Sequence, residues 1–343
     1  MDIARHTALK VIHEIEANGA YSNIALSDVL NKNRSNLNNK DINFISELVY
    51  GTVAWKLTID YIISTYSSIK LNKISKWVLN ILRLAVYQIV FLDKIPKSAA
   101  VNEAVKLTKK YGARSSGFVN AILRKIEKED YIKLQKIEDE VKSISLLESM
   151  PEWLVQKLLE DYTVEEVREI CKCSNIHPKV TVRINKLKTT KTELLAKLEE
   201  RNIQYEETQD EDFLNLKIKD LANLDLFKEG MFTAQDLSAG KTSKILLPKA
   251  QELVLDACSA PGGKTTHLAE IMGNKGKIIA WDLYESRLNL VNQNANRLGI
   301  NIIKTETRDS SVLYEEYIET FDKILLDVPC LGIGVIKRKP DHV

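Results

Sequence analysis

Apolar residues recur at helical spacing through the first 145 residues of the chain. One such run stops at Gly19, and a second follows Asp41, which we interpret as its N-cap. The run from Trp77 to Leu92 is apolar on nearly every face, which predicts the buried central helix of a bundle. Further helices are predicted from Ala99 to Lys110 and from Phe118 to Lys128. This part of the chain is therefore expected to be all helical.

The period of the apolar pattern changes further along the chain. Residues 130–150 are charged and lack strong periodicity, so we predict a linker there. Residues 151–175 look helical, after which Val180 to Ile184 alternates as a strand. A helix from Leu187 to Glu200 and a second alternating run, Phe213 to Ile218, complete a small α+β module.

From residue 253 onward, strands alternate with helices. The predicted strands are Leu253 to Leu255, Lys277 to Trp281, Asn301 to Thr305 and Phe321 to Leu326. The helix between the second and third strands, Glu285 to Leu298, has an apolar face and stops before a glycine. This alternation predicts a parallel sheet with helices on both faces.

Aspartates stand at or just beyond the predicted strand ends. Asp256, Asp282 and Asp327 end strands, and Asp309 follows one. Ligands of parallel sheets bind at the carboxyl ends of the strands, and Asp282 follows Asp256 by 26 positions, close to the usual interval for a ribose-binding carboxylate. An aspartate at a strand end can also simply cap a helix, so a structural role stays open for each.

A small-residue turn, residues 257–263, connects the first of these strands to a helix that opens with Lys264. Such a turn suits an anionic or close-fitting ligand. A P-loop would need glycine at position 258, where the chain has Cys258, and a dinucleotide fingerprint is missing. S-adenosylmethionine and a purely structural junction therefore remain as the two interpretations of the turn.

Length and composition bound the class of protein. A chain of 343 residues is expected to form two or three domains, and the changes of pattern predict them at 1–145, 146–235 and 236–343. Apolar residues make up 44% and charged residues 28%, as in soluble globular proteins. Because no apolar run reaches about 18 residues, we expect no membrane span. The charged N-terminus does not resemble a signal peptide, so we expect a cytoplasmic protein.

Local charge and the cysteines add less. The net charge of +2 is too small to indicate nucleic acid by itself. The segment from Lys97 to Lys125 contains seven basic residues and one acidic residue, Glu103. The basic residues could hold a phosphate backbone or form a solvated helix face. They are Lys97, Lys106, Lys109, Lys110, Arg114, Arg124 and Lys125. Cys171 and Cys173 lack further ligands at metal spacing, so we interpret them as structural and expect no bound metal.

Three stretches together resemble the RNA 5-methylcytosine methyltransferase family. They are LDACSAPGGKTTHLAE, WDLYESRL and LLDVPCLGIGVIKRKPD, where the family typically has DxCAAPGGKT and DAPCSGTGVIRRxPD. The helical part, with DINFISELVYGTVAWKLTIDYII and GFVNAILRKI, is similar to a NusB-type domain, which one branch of the family carries in front of its catalytic part. The resemblance runs over the whole chain and implies a Rossmann-like class I methyltransferase domain.

The resemblance also implies roles for individual residues. The residues that would hold the methionine end of S-adenosylmethionine are Cys258, Ser259, Ala260, Pro261, Gly262, Gly263 and Lys264. Asp282 would bind ribose, Asp309 would lie beside the adenine, and Asp327 would lie near the methyl group and the target base. The implied partner is 16S rRNA, held in part by the helical domain, and we expect a monomer.

The chemistry that the family performs requires a thiolate, because cytosine C5 is a weak nucleophile until a thiolate adds at C6. In the RNA enzymes of the family the attacking cysteine lies in a Thr-Cys motif, and the Pro-Cys cysteine helps to release product. Cys330 matches the second of these, and the sequence has no cysteine after it. We therefore expect that the chain is truncated, that it lacks the nucleophile and the last strands, and that it does not turn over.

Two further expectations follow. In a truncated domain the fourth strand would form an exposed edge with apolar faces. Leu331, Ile333 and Val328 depart from the residues usual in the family around Cys330, which puts some polar contacts beside the cytosine in doubt. The competing interpretation is an RNA-binding, antitermination-like protein with a non-catalytic methyltransferase-like half, and uptake of S-adenosylhomocysteine would separate the two.

Overall fold

Helices follow one another through the described residues up to 176, and two β-sheets with their helices follow from residue 179. The computed structural model describes residues 2–33, 37–176, 179–218, 221–330 and 332–336. Two compact units are formed, the first by Met1–His177 with Leu331–Val343 and the second by Pro178–Cys330. The predicted α+β multidomain class is confirmed, whereas the domain boundaries at 145 and 235 stay predictions.

The helices of the first unit follow one another with short connections. They are α1 (Ile3–Asn18), α2 (Ser22–Asn33), α3 (Asn39–Ala54), α4 (Lys56–Tyr66), α5 (Lys76–Phe91), α6 (Lys97–Tyr111), α7 (Ser116–Lys125), α8 (Glu129–Lys133), α9 (Glu140–Glu148), α10 (Glu152–Leu159) and α11 (Val164–Ser174). Short 3₁₀ turns occupy Leu71–Lys73, Ala113–Ser115 and Leu134–Lys136.

The predicted central helix is confirmed. Helix α5 packs against α1, α3, α4, α6 and α7, and its buried positions run around nearly its whole circumference. At the crossing with α3, a Cβ on Gly51 would lie 1.9 Å from the Tyr87 ring, so only glycine allows this approach. Tyr87 in turn donates a 2.6 Å hydrogen bond to Glu47.

Two sequence interpretations of this unit are wrong. Asp41 is not an N-cap: Asn38 is, and Asp41 is the third residue of α3, where its side chain closes a capping box. The linker predicted at 130–150 contains α8 and α9, and α9 is capped by Asp139 and buries Ile144. With five and nine residues, α8 and α9 are too short to show a clear apolar period, which explains the error.

An antiparallel sheet opens the second unit. Its strands are β1 (Val180–Ile184), β2 (Tyr205–Glu207), β3 (Phe213–Leu216) and β4 (Phe232–Ala234), in the order β2-β3-β1-β4. Helices α12 (Lys191–Glu200) and α13 (Asp225–Lys228) accompany it. The helix predicted from Leu187 begins at Lys191 instead, because Thr190 and Glu193 form a capping box there. The three-residue strands β2 and β4 were not predicted.

The parallel sheet completes the second unit. Its strands are β5 (Leu253–Asp256), β6 (Lys277–Asp282), β7 (Ile303–Thr307) and β8 (Lys323–Leu325), in the order β7-β6-β5-β8, all parallel. Its helices are α14 (Leu237–Leu246), α15 (Gly263–Ile271) and α16 (Glu285–Leu298). Because β6 and β8 flank β5, the strand order reverses direction at β5, and the loop after β5 opens at the switch point where such sheets bind ligands.

Strand β8 lies at an edge of this sheet as the described residues form it. It is shorter than predicted, and Ile324, Leu326 and Val328 are 55%, 61% and 57% exposed. The expected apolar edge strand is therefore present, in the kind of arrangement that invites pairing with another strand.

Candidate functional site

The turn after β5 is fixed against the end of β6. Both the backbone N–H and the hydroxyl of Ser259 donate to the carbonyl of Trp281, at 2.8 and 2.9 Å. Gly262 has φ +100°, and a Cβ there would approach Val291 Cα at 3.1 Å, so the turn needs glycine on two counts. The peptide bond between Ala260 and Pro261 is cis. Helix α15 then begins at Gly263, as the sequence predicted for the segment opened by Lys264.

Asp282 and this turn share one side chain as a neighbour. Arg287, on the first turn of α16, lies 3.3 Å from an Asp282 carboxylate oxygen through Nη1. Its Nη2 donates to the carbonyl of Ala260 at 3.1 Å. Asp282 is 4% exposed and also accepts a hydrogen bond from the N–H of Tyr284. The structure therefore brings the predicted ribose carboxylate beside the predicted turn.

Asp256 lies beneath the turn. It is buried and accepts a 2.6 Å hydrogen bond from the Thr265 hydroxyl. Burial raises the pKa of Asp256 to about 6, and the Thr265 hydrogen bond only partly opposes this. The hydroxyl on α15 thus ties the end of β5 to the helix that follows the turn.

Lys264 and Asp327 meet although 63 residues separate them. They form an ion pair between the start of α15 and the end of β8, with the two side chains 21% and 52% exposed. Burial raises the pKa of the Cys258 thiol, which lies half-buried in the turn. Lys264, predicted for the methionine end of the cofactor, and Asp327, predicted to lie near the methyl group, are therefore in direct contact.

The positions of Asp309 and Cys330 are less enclosed. The exposed carboxylate of Asp309 accepts hydrogen bonds from the Ser311 hydroxyl at 2.7 Å and its N–H at 2.9 Å, which lower the pKa of Asp309. The adjacent residue, Ser310, contacts the turn by donating to the carbonyl of Ala257. Cys330 is an exposed thiol just beyond β8. Leu331 and the basic residues 337–339 lie outside the described residues.

Sequence reasoning missed three side chains that hold this region together: Arg287, Ser310 and Arg183. The position of Arg287, five residues after Asp282 on a helix start, was a usable signal. Arg183 gave none, because it stands in a strand of the antiparallel sheet, far from the motifs. It is 1% exposed and donates to the carbonyl of Gly263 at 3.0 Å.

The basic surface of the first unit is partly neutralised. Lys97 donates to the carbonyl of Arg124 and pairs with Glu127, and Lys106 pairs with Glu103. The remaining five basic side chains of this surface are exposed. They are Lys109, Lys110, Arg114, Arg124 and Lys125. A surface of exposed cations therefore stays available on α6, α7 and the 3₁₀ turn between them.

Within the described residues, no group of three or more His, Cys, Asp or Glu side chains is arranged to hold a metal ion. In the same ranges, none of the helices has both the length and the apolar character of a bilayer span. Cys171 is buried and its pKa is raised to about 11 by burial, whereas Cys173 is exposed.

The fold agrees with matches to three known families, which together define a class of protein: a methyltransferase domain that follows a ferredoxin-like domain and a NusB-like helical domain. Residues 2–128 match the NusB family, residues 150–217 match the RsmF/B-like ferredoxin-like domain, and residues 243–342 match the family described as 16S rRNA methyltransferase RsmB/F.

Relatives that match almost the whole chain identify the family. The chain is 39% identical to the probable ribosomal RNA small subunit methyltransferase B of Bacillus subtilis (strain 168), covering 98% of this chain and 75% of that protein. It is 34% identical to the corresponding probable enzyme of Synechocystis sp. (strain ATCC 27184 / PCC 6803 / Kazusa), with 98% and 76% covered. The crystal structure of PH0851 superposes with a TM-score of 0.76 at 25% identity, covering 100% and 78%. The chain belongs to the ribosomal RNA small subunit methyltransferase B family.

Proposed function

We propose that this protein transfers a methyl group from S-adenosylmethionine to C5 of a cytosine in 16S rRNA. The observation that carries the proposal is the side chain of Arg287, which contacts both Asp282 and the carbonyl of Ala260. It places a buried strand-end carboxylate beside a small-residue turn at the switch point of a parallel sheet. Membership of the small subunit rRNA methyltransferase B family supports the substrate.

The residues present fit the cofactor. Asp282 is the carboxylate for the ribose hydroxyls, and the turn from Cys258 to Lys264 is the holder of the methionine end. The carboxylate of Asp256 lies beside the turn, and negative charge there suits a sulfonium cation, whereas the carboxylate of Asp327 is paired with Lys264. Asp309, on the loop whose Ser310 contacts the turn, is the candidate neighbour of the adenine.

When bound, S-adenosylmethionine supplies an electrophilic methyl group on its sulfonium sulfur. Cytosine C5 becomes nucleophilic enough to accept this methyl group once a cysteine thiolate has added to C6. The addition breaks the C5–C6 π bond and shifts its electrons onto C5, which then reacts as an enamine carbon. After transfer, a base removes the C5 proton and the electrons of that bond expel the thiolate from C6. We assign Asp327 to the reacting end of the site and Cys330 to product release, and we assign none of the four cysteines of this chain as the attacking thiolate. The target base must be unpaired or flipped out to reach them.

The basic surface on α6 and α7 is our candidate for holding the rRNA backbone. Its exposed cations attract the phosphates of a nucleic-acid backbone, and this attraction does not depend on the base sequence. This assigns affinity to the helical unit and chemistry to the second unit.

Cofactor binding tests the proposal most directly. Calorimetric titration of the 343-residue chain with S-adenosylhomocysteine should show one site, and Asp282→Ala should weaken it by about tenfold or more, since a buried ribose contact is lost. Glu306→Ala is the matched control. Glu306 lies near the end of the neighbouring strand β7 but bonds to Tyr317 and Lys304 instead of the turn.

The outcomes are distinct. An equal loss of affinity in both variants would mean that general damage to the carboxyl ends of the strands, and not the loss of a ribose contact, explains the effect. A folded parent chain that takes up no S-adenosylhomocysteine yet binds 16S rRNA would overturn the proposal in favour of the RNA-binding, antitermination-like alternative.

RNA binding is tested separately. Replacing Lys109 and Lys125 by Glu should weaken binding to a 16S rRNA fragment and lower the slope of log affinity against log salt by about one to two units. The control replaces Lys32 and Lys40, which are exposed lysines on α2 and α3 of the same unit. An identical effect of both pairs would assign the binding to overall charge, not to this surface.

A further inference from the structure

Arg183 is a fully buried cation in the second unit. It lies on β1, the strand between β3 and β4, where Phe213 and Thr233 are its partners in register. Its side chain is 1% exposed. A buried guanidinium is stable only when its donors find acceptors, so its contacts show what this position requires.

One edge of the guanidinium binds a carboxylate of α15. Nε donates to Glu270 Oε2 at 3.0 Å and Nη2 donates to Glu270 Oε1 at 2.7 Å, a bidentate pair. Glu270 is itself 5% exposed through its side chain. This pair alone would be a structural connection between the antiparallel sheet and the helix.

The other edge reaches the first turn of the same helix. Nη1 donates to the carbonyl of Gly263 at 3.0 Å, and Nη2 donates to the Thr266 hydroxyl at 3.2 Å. Gln235 accepts from Nη1 and donates to the same Gly263 carbonyl at 3.2 Å. The Thr266 hydroxyl then donates to the carbonyl of Gly262 at 2.8 Å. The final two residues of the small-residue turn are therefore held from the antiparallel sheet.

We propose that Arg183 is a positioning residue for cofactor binding: it fixes the turn at Gly262 and Gly263 in the conformation that the methyl donor needs. This inference rests on the proposed function. The physical reason is preorganisation, because a turn already held in its bound conformation loses less entropy when the ligand arrives. A guanidinium suits the task since its fixed fork serves the carboxylate and the carbonyl at the same time.

The same contacts would also arise if Arg183 only stabilised the fold, so the test must separate stability from binding. Arg183→Met removes every donor. Arg183→Lys keeps a charge for Glu270 but not the fork that also reaches Gly263. The control is Arg297→Met. Arg297 on α16 donates to the carbonyls of Phe227 and Phe232 at 2.8 and 3.0 Å, and it reaches the turn indirectly, through Asn294, whose amide donates to the carbonyl of Pro261.

Titration with S-adenosylhomocysteine and denaturant unfolding are measured on all variants. We expect Arg183→Met to bind about tenfold more weakly or worse, Arg183→Lys to regain part of the stability with little of the affinity, and Arg297→Met to bind within about threefold of the parent. Affinity that follows stability equally in all three variants would overturn the inference. A parent chain without uptake would instead refute the proposed function.

Hydrogen exchange gives a second readout that needs no ligand. In the free protein, peptides covering residues 257–268 should exchange faster in Arg183→Lys than in Arg297→Met, because Arg183 donates directly to Gly263 whereas Arg297 reaches the turn through the side chain of Asn294. If Arg183→Met does not fold, Gln235→Ala serves in its place, since it removes one donor to Gly263 and one acceptor from Arg183. Unchanged protection of these peptides in both Arg183→Lys and Gln235→Ala would exclude a positioning role.

Discussion

Arg83 in the helical unit and Arg183 in the second unit are both buried in networks of hydrogen bonds, and the two networks differ in what they hold. In the helical unit, Arg83 donates to both carboxylate oxygens of Asp60 at 2.7 Å, to Glu16 at 3.0 Å and to Asn80 at 3.1 Å. In the second unit, Arg183 reaches a carboxylate and, in addition, a backbone carbonyl of the candidate site.

The difference teaches how burial and function are connected. Both arginines lose their hydrogen bonds to water on folding and replace them with hydrogen bonds to carboxylates and other acceptors, so burial alone does not distinguish them. All the partners of Arg83 are side chains of the bundle, and its network can only specify packing. Because Arg183 donates to the Gly263 carbonyl, its network also fixes the conformation of the turn. The predictions below test this contrast.

The largest effect is expected for Arg83→Met. It leaves Asp60 and Glu16 without their guanidinium, and breaking such a buried pair costs about 3–5 kcal/mol. Hydrogen exchange of the helical unit should show the loss, while the affinity for S-adenosylhomocysteine stays unchanged. Lys56→Met is the control, because Lys56 pairs with the same Glu16 from a more exposed position and should cost less than about 1 kcal/mol. Loss of cofactor affinity in Arg83→Met would remove the contrast between the two arginines.

Asp256 sharpens the contrast, because this buried carboxylate has a hydroxyl as its partner instead of a guanidinium. Its folded-state pKa of about 6 lies above the ordinary value of 3.8, so its contribution to stability is complete below pH 3.8 and is lost as the pH rises through 6. Asp256→Asn should therefore be more stable than the parent by about 2–3 kcal/mol at pH 7.5, with the gain vanishing near pH 4. Denaturant unfolding at several pH values measures this.

Asp130 in the helical unit provides a control of opposite sign. Burial raises its pKa, but hydrogen bonds from Lys133, the Glu127 N–H and Tyr66 outweigh burial and lower it overall. Its contribution is present above the ordinary pKa and lost in acid. Asp130→Asn should be less stable than the parent at neutral pH. The same sign in both variants would contradict our account of the two carboxylates.

His267 gives a further pH-dependent difference. It is buried beside Phe213, and burial, with Arg183 and Lys244, lowers its pKa to about 3. Because the unfolded value is near 6.5, the contribution of the neutral ring is present above pH 6.5 and is lost as the pH falls toward 3. Between pH 7 and pH 5 the free energy of unfolding should fall in the parent. In His267→Phe the fall should be smaller by about 2 kcal/mol.

The comparison for His267 is His13 of the helical unit, which stacks on Trp77 at 3.6 Å and is only half-buried. Its pKa is also lowered by burial, so His13→Phe should show the same direction with a smaller amplitude. An amplitude as large as that of His267→Phe would show that burial does not set the size of the effect.

The smallest effects should be equal in the two units. Thr163 caps α11 and Thr190 caps α12, each in a capping box with a glutamate three residues later. Thr163→Ala and Thr190→Ala should each cost about 1 kcal/mol, measured by denaturant unfolding, with unchanged affinity for S-adenosylhomocysteine. Clearly unequal costs would mean that surface capping also depends on the unit.

The sequence predicted the local pieces of the candidate site well. The run Leu253 to Asp256 followed by a small-residue turn and a helix is a short-range pattern, and the structure places strand, turn and helix there. Short elements were predicted poorly, since β2, β4 and α8 have too few residues to display a period. The apparent N-cap Asp41 was misplaced by three residues because Asn and Asp both suit that position.

By itself, the sequence determined the order of the longer helices, the strands of the parallel sheet, the family and the residues that follow each of those strands. Local propensity and apolar period act over a few residues, and this information is therefore carried by neighbours in the chain. Only the tertiary structure decided that β8 lies beside β5, which brings Asp327 to Lys264, and that Arg183 reaches Gly263 from another sheet. Contacts between residues that are 63 and 80 positions apart depend on sheet order and packing, which no local pattern records.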